Sequence, residues 1–158
     1  MESFEAYTPA NVAKVVNKSN VSISLEKNKI LDVELFGGSI MINNENNGHF
    51  NLRMIDDKKA FLSNIQIGSN EDAPRNKGYG LEVYKQIIEK LHEQDIKLIS
   101  TDGSIKDTCI SPQALRVWQK LVEIGYAKVT GQSETKVFDR FSNGEPRIEN
   151  IPTYESTI

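Results

Sequence analysis

The apolar positions of the chain follow two periods, and the change between them marks the predicted elements. Apolar residues alternate with polar ones over residues 61–67, which is the period of a strand with one packed face. From about Gly80 they recur three and four apart, which is typical of an amphipathic helix. Another apolar segment, residues 96–101, follows a short turn. This order predicts a βαβ crossover with two parallel strands.

The same criteria predict the rest of the chain. A second helix begins at Ser111-Pro112, where a capping residue precedes proline, and ends before Gly125. Further predictions are a helix over residues 9–18, a strand from Val21 to Leu25, a turn at Asn28-Lys29, one bulged strand or two short ones over 33–42, a hairpin joining 50–54 to 61–67, and strands at 127–129 and 135–141 joined by a turn.

Little regular structure is predicted for the C-terminal residues, because Pro146 and Pro152 lie among mixed polar residues. We therefore expect one domain over residues 1–141 and a tail over 142–158. A chain of 158 residues suits a single hydrophobic core.

Composition narrows the functional classes. The net charge of −3, with scattered Lys and Arg, gives no sign of a nucleic-acid surface. No segment has the length of a membrane span, and the N-terminal residues do not resemble a signal peptide. A lone cysteine, Cys109, favours a reducing compartment, so we expect a cytoplasmic protein. His49 and His92 are far apart, and no metal site is predicted.

A candidate anion site lies between the strand and the helix of the βαβ unit. The segment Arg75-Asn76-Lys77-Gly78-Tyr79-Gly80 combines two glycines with two cations where helix amides lack internal partners. Glycine lets a phosphate approach the backbone. The alternative is an ordinary turn, with Arg75 and Lys77 as solvated charges. The spacing matches neither a dinucleotide fingerprint nor a Walker loop.

Arg-x-x-Gly-x-Gly in this context resembles the acyl-CoA pyrophosphate loop of the GNAT superfamily of N-acyltransferases. A second match runs from Ala114 to Leu121 and is followed by Gly125-Tyr126, similar to the last conserved helix of that family. The resemblance implies an α/β (α+β) GNAT fold. Such a fold has a mixed, mostly antiparallel sheet in which a parallel strand pair splays apart around the βαβ unit, with flanking helices.

The resemblance also implies a cosubstrate, acetyl-CoA, and no metal. Its pantetheine arm would pair with the backbone of the first parallel strand near Ile65, Gln66 and Ile67. Its pyrophosphate would bind residues of the loop and the helix start, namely Arg75, Asn76, Lys77, Gly78, Tyr79 and Gly80.

The implied reaction is attack of a primary amine, on a small molecule or a protein, on the acetyl thioester. An alkylammonium must first lose a proton, and Glu71, Asp72 and Asp102 are the candidate bases; the alternative for each is a solvated loop carboxylate. A backbone amide near Ile67 would stabilise the oxyanion. The resemblance is compatible with a homodimer.

Trp118 occupies the position where the family often has an acidic tyrosine, and an indole is not a usable acid. We expect Trp118 to pack in the core or against the cofactor. Tyr126 is the substitute candidate for the acid, and Cys109 is a weaker one. Two other functions stay open: a CoA-binding regulatory or interaction module with impaired catalysis, and a nucleotide-binding protein unrelated to CoA.

Overall fold

The computed structural model describes residues 21–30, 33–67, 79–101, 109–138 and 145–158. The helix predicted at residues 9–18 lies outside them. The elements within these ranges are β1 (Val21–Ile23), β2 (Glu26–Ile30), β3 (Val33–Ile42), β4 (Glu45–Met54), β5 (Lys59–Ile67), α1 (Tyr79–His92), β6 (Lys97–Ile99), β7 (Cys109–Ile110), α2 (Pro112–Glu123), β8 (Ala127–Val137) and β9 (Arg147–Ser156).

The described strands form one mixed sheet in the order β1-β3-β4-β5-β6-β9-β8-β7, with β2 also paired to β3. The pairs β5–β6 and β7–β8 are parallel, and the other pairs are antiparallel. The predicted mixed, mostly antiparallel sheet is therefore confirmed. No helix among the described residues is both long and apolar enough to span a membrane.

The central βαβ unit follows the predicted apolar periods. Strand β5 pairs in parallel with β6, and α1 connects them. The inward face of α1 carries fully buried Val83, Ile87, Ile88 and Leu91. These side chains belong to one core with the apolar residues of the sheet. The helix forms here because its apolar stripe is buried against that sheet.

Helix α2 begins and ends as its sequence signals predict. The Ser111 hydroxyl accepts a hydrogen bond from the Ala114 amide at 3.1 Å, and Pro112 is the first helical residue. After the helix, Gly125 takes a φ of +85°, which favours glycine. Trp118 is buried and stacks on Tyr154, with ring centroids 5.6 Å apart. Its predicted packing in the core is confirmed.

One prediction near the N-terminal strands is wrong, and of the two alternatives for residues 33–42 the structure has the single bulged strand. Asn28 and Lys29 are not in a turn, because both belong to β2 and pair with β3. Strand β3 continues through Gly37-Gly38, and its register shift against β4 lies later, between Ile40 and Met41. The reason for glycine is close approach: a Cβ on Gly38 would lie 1.7 Å from the Ser24 carbonyl oxygen. The glycines therefore admit a neighbouring backbone instead of breaking the strand.

The C-terminal tail prediction is wrong in its secondary structure. Residues Arg147–Ser156 form β9, which pairs with β8 along its whole length. Strand β8 is correspondingly one strand, and the turn predicted at residues 130–133 is not there. A register shift between Val129 and Gly131 replaces it. The division into a domain and a tail at residue 141 thus does not match the sheet, since β9 is one of its internal strands.

Pro152 can stand inside β9 because of the edge that it faces. The Ser100 amide donates to the Tyr154 carbonyl, so the main chain of Tyr154 faces β6. Alternate residues of a strand face the same edge, so Pro152 also faces the β6 side. Strand β6 has already ended at that level. The missing N–H of proline therefore costs β9 no hydrogen bond to β8.

Candidate functional site

The parallel strands β5 and β6 part soon after they meet. Their pairing covers Lys59–Lys97, Ala60–Leu98 and Phe61–Ile99, and β6 ends at Ile99. Strand β5 continues to Ile67. On the other side of β6, β9 pairs at Glu155 and extends past the same end, because the two strands are antiparallel. Beyond β6, no described strand pairs with this edge of β5, and we name the space between the second half of β5 and the first half of β9 the opening.

A β-bulge directs the main chain of β5 toward this opening. The Lys59 carbonyl accepts from the Ile55 amide at 2.9 Å and thus faces the β4 side, whereas the Lys58 carbonyl accepts from Lys97 and faces β6. Ser63 is an extra residue in the register with β4, which pairs Leu52 with Leu62 and Asn51 with Asn64. This extra residue shifts the alternation by which successive residues of β5 direct their main-chain groups to one edge and then the other.

After the bulge, the main chain of Gln66 faces β4. Its carbonyl oxygen would be 2.0 Å from a Cβ built on Gly48 of that strand. Ile65 and Ile67 therefore direct their main-chain groups to the opening. These are two of the three residues predicted to pair with a pantetheine arm, and the splay implied by the resemblance is present in the described strands.

The start of α1 holds two of the residues predicted for the pyrophosphate. Tyr79 and Gly80 are its first residues, and both are partly buried. A Cβ built on Gly80 would lie 3.5 Å from Val117 Cγ2, an ordinary van der Waals distance. The described residues therefore leave room for a methyl group at Gly80, and their packing does not explain the glycine.

Several predicted site residues lie outside the described residues, and their roles stay predictions. These are the loop residues Arg75, Asn76, Lys77 and Gly78 and the carboxylates Glu71, Asp72 and Asp102. The described residues contain no group of His, Cys, Asp and Glu that could hold a metal ion.

Tyr126, the predicted acid, lies beside the second half of α1. Its hydroxyl donates to Glu89 Oε2 at 2.8 Å, and Lys85 Nζ lies 5.3 Å from the ring centroid. The hydrogen bond to Glu89 and partial burial raise the pKa of Tyr126. Glu89 follows Tyr79 by ten positions, or about 15 Å along a helix axis. This position gives no support to an acid role at the opening, and that role stays a prediction.

The seam between β6 and β9 is closed by two serine side chains. Ser100 Oγ accepts from the Tyr154 amide at 2.8 Å, and Ser156 Oγ accepts from the Leu98 amide at 2.9 Å. Both serines are buried. They complete hydrogen bonding at the level where β6 ends, so they hold one wall of the opening in place.

Four residues on β4 and β5 have polar side chains for which no role was predicted, although the backbone of one of them, Gln66, was predicted to bind the cofactor. Asn51 is opposite Asn64 and His49 is opposite Gln66, so these four residues share one face of the sheet, named here the polar face. His49 Nε2 lies 3.3 Å from Asn64 Nδ2. The opposite face carries Phe50, which is fully buried. The alternation of the strand could have indicated this face, but the bulge at Ser63 hides its register in the sequence.

Three comparisons with known proteins show what this topology is similar to. No protein-family model matches the sequence, and no curated protein matches it. Among solved structures, the chain is similar to proteins with the GNAT acetyltransferase fold, and the predicted GNAT fold is confirmed.

A Bacillus subtilis acetyltransferase in complex with CoA has a TM-score of 0.50 at 14% identity, over 85% of this chain and 97% of that one. A GNAT family acetyltransferase from Elizabethkingia anophelis with acetyl-CoA bound has a TM-score of 0.49 at 18% identity, over 87% and 96%. An IAA acetyltransferase from Bacillus cereus has 0.48 at 11%, over 85% and 98%. At these identities the likeness concerns the fold.

Proposed function

We propose that this protein is an acetyl-CoA-dependent N-acetyltransferase that transfers an acetyl group to a primary amine of a small molecule or protein. The observation that carries the proposal is the opening beyond β6, toward which the bulged half of β5 directs the main chain of Ile65 and Ile67. A pantetheine arm is an extended chain with amide groups, so it can pair with a strand edge of this kind.

The charged end of the cosubstrate belongs at the start of α1. Amides in the first turn of a helix lack internal partners, and the helix dipole adds positive potential there. Gly80 has no side chain to obstruct a phosphate, and the packing of the described residues does not require that glycine. In this proposal Arg75, Asn76, Lys77, Gly78 and Tyr79 complete the pyrophosphate site. The bound forms of the similar B. subtilis and E. anophelis structures, which contain CoA and acetyl-CoA, support the same ligand.

The chemistry follows from the thioester. The neutral amine nitrogen bonds to the acetyl carbon, the carbonyl oxygen gains negative charge, and the C–S bond then breaks. An amide near Ile67 stabilises the oxyanion in this proposal. The leaving thiol has an ordinary pKa of about 8.5, so a dedicated acid is not essential. Glu71 and Asp102 stay proposed proton acceptors, and the location proposed is cytoplasmic, supported by the single cysteine.

Thermal shift measurements test the binding half of the proposal. A ligand that binds only the folded chain stabilises it by about 2.7 kcal/mol at a concentration of 100 Kd. For a chain of this size that is a rise in Tm of roughly 5–10 °C. We expect this rise with acetyl-CoA and CoA and none with ATP. A rise with ATP equal to that with acetyl-CoA would instead support a general nucleotide-binding protein.

The Gly80→Ala variant tests the site itself. Alanine is better than glycine inside a helix by about 0.5–1 kcal/mol, and the space beside Val117 admits its methyl group, so the free variant should be as stable as the parent. The acetyl-CoA-induced rise in Tm should shrink. Gly131→Ala on β8 is the matched control, since its Cβ would be 3.6 Å from Thr153 Oγ1. An equal shrinkage in both variants would remove Gly80 from the site.

The second candidate function is a CoA-binding module with impaired catalysis. The observation that favours it is Trp118, which stands at the family's tyrosine position and is buried between Tyr84 and Tyr154. Thiol release from acetyl-CoA with spermidine, kanamycin and a lysine-containing tripeptide separates the two candidates. Binding without amine-dependent release supports the module, and amine-dependent release supports the enzyme.

A further inference from the structure

We propose that the acceptor amine is bound on the polar face of β4 and β5 and that His49 accepts its proton. This inference rests on the proposed function, puts His49 in place of Glu71 and Asp102 as the group that accepts the proton, and adds the side of the sheet from which the acceptor enters. The residues that carry it are His49, Asn64 and Gln66, which the sequence did not connect to one another in function.

The polar face borders the opening directly. Ile65, whose main chain is directed to the opening, lies between Asn64 and Gln66 on β5. His49 is opposite Gln66 on β4, one strand spacing away, which is about 4.8 Å. The opening lies along the other edge of β5, so a group held there is about two strand spacings, or roughly 10 Å, from the β4 backbone, and the imidazole reaches it through bridging water.

The accessibility of this face suits a substrate site. His49, Asn51 and Asn64 are exposed, and Gln66 is half-buried. The opposite face of the same strands is closed by the core, where Phe50 and Leu52 are fully buried. A polar acceptor can thus reach this level of the sheet from the polar face, without displacing core side chains.

The contact between His49 and Asn64 fits a proton acceptor. The amide nitrogen of Asn64 lies 3.3 Å from Nε2 of His49, and in this orientation it donates to the Nε2 lone pair, which is then not available for a proton. If the Asn64 amide rotates, its oxygen accepts from Nε2–H, and Nδ1 then presents its lone pair or a second proton. Asn64 can therefore support the ring before and after proton transfer, which makes it a positioning residue.

The described residues opposite and in contact with the His49 ring are uncharged. Ser39 on β3 and Gln66 on β5 are opposite His49, and Asn64 contacts it. Arg53 is a cation further along β4, and its guanidinium lies 5.8 Å from the Phe61 ring centroid. An unprotonated imidazole nitrogen can accept a proton, whereas the neighbouring amide and hydroxyl side chains are not usable bases.

The acceptor nitrogen loses two protons in the proposed reaction. The ammonium group gives one proton to His49, the neutral nitrogen bonds to the acetyl carbon, and the C–S bond breaks to release CoA thiolate. The second nitrogen proton is lost as the amide forms. One of the two protons ends on the thiol and the other leaves to solvent, so no redox partner is needed.

The test is the His49→Gln variant, measured with the acceptor among spermidine, kanamycin and a lysine tripeptide that gives the fastest thiol release. General base catalysis contributes roughly 10²–10⁴-fold, so kcat at pH 7 should fall by at least about 100-fold. The acetyl-CoA-induced rise in Tm should not change. The deficit should narrow as pH approaches the amine pKa, about 10.4 for lysine, because the free amine then forms without a base. Asn64→Ala should give a smaller deficit with the same pH trend.

His92→Gln is the matched control, because His92 is the other histidine and lies at the end of α1. It should leave kcat unchanged. His49→Asn is the second variant, should glutamine disturb the fold. The inference is overturned if both His49 variants keep the parental kcat, or if they change KM alone. In those cases acetyl-CoA binding and turnover by the parent would still support the proposed function. Absence of both in the parent would overturn the function and the inference together.

Discussion

At the scale of single residues, burial decides which groups are available for chemistry and which are structural. Tyr84 is only 5% exposed, and its ring meets Trp118 edge-on with centroids 6.0 Å apart. Desolvation strongly raises the pKa of its hydroxyl, because the buried phenolate would be poorly solvated. Such a group stabilises the core in its neutral form and is not available as an acid at neutral pH.

Tyr84 should therefore make the protein sensitive to alkaline pH. The folded-state pKa lies above the unfolded value of about 10, so the stability is present below pH 10 and is lost as pH rises from there toward the folded pKa. One such group changes the free energy of unfolding by up to about 1.4 kcal/mol per pH unit. Urea unfolding of Tyr84→Phe between pH 9 and 11 should show a shallower decline than the parent. An identical decline in both proteins would contradict this account.

At the scale of elements, the region that binds a ligand in our proposal coincides with a seam of unusual construction. Strands β6 and β9 share one backbone pair at Ile99 and Glu155, and the Ser100 amide also donates to the Tyr154 carbonyl. The hydroxyls of Ser100 and Ser156 accept two further hydrogen bonds across the seam. Lys59 Nζ reaches across to Glu155 Oε1 at 3.5 Å. Side chains thus join the strands where the backbone ladder stops.

Ser156→Ala should weaken this seam. The variant leaves the buried Leu98 amide without its acceptor, which costs about 1–3 kcal/mol. Chemical denaturation should show that loss with no change in m-value, since the extent of unfolding is the same. Ser133→Ala is a matched control, because its hydroxyl bonds the adjacent Glu134 carbonyl on the surface and should cost much less. Equal losses would contradict the role of the seam.

Elements with an uninterrupted apolar period could be predicted, and elements whose partners lie far along the chain could not. The βαβ unit was predicted because both periods are clear and a short turn joins its last two parts. The same holds for the cap at Ser111. Strand β9 was not predicted, because Pro152 suggests irregular structure until it is known that β6 ends before reaching it. The polar face was missed because Ser63 shifts the alternation that would have indicated it.

At the scale of the whole molecule, the C-terminal strand holds the two halves of the sheet together. Strand β9 lies between β6 and β8, so among the described strands it is the one that connects the central βαβ unit to β8. Tyr154 of β9 is buried and stacks on Trp118 of α2, which in turn meets Tyr84 of α1. Helices and strands from distant parts of the sequence therefore share one aromatic contact.

A chain that ends at Gly144 should therefore not fold. It loses the partner of β8 along its full length and also the Tyr154 ring, whose removal alone corresponds to about 3–5 kcal/mol against a typical total of 5–15 kcal/mol. We expect low soluble yield, a poorly dispersed proton NMR spectrum and no cooperative thermal transition. Ile148→Ser, a change at a residue of β9 that is 60% exposed, should leave the transition in place and separates loss of the strand from surface effects. If the truncated chain unfolded cooperatively at the parental Tm, β9 would be an accessory strand, and the wall that it gives the opening would not be part of the folded core.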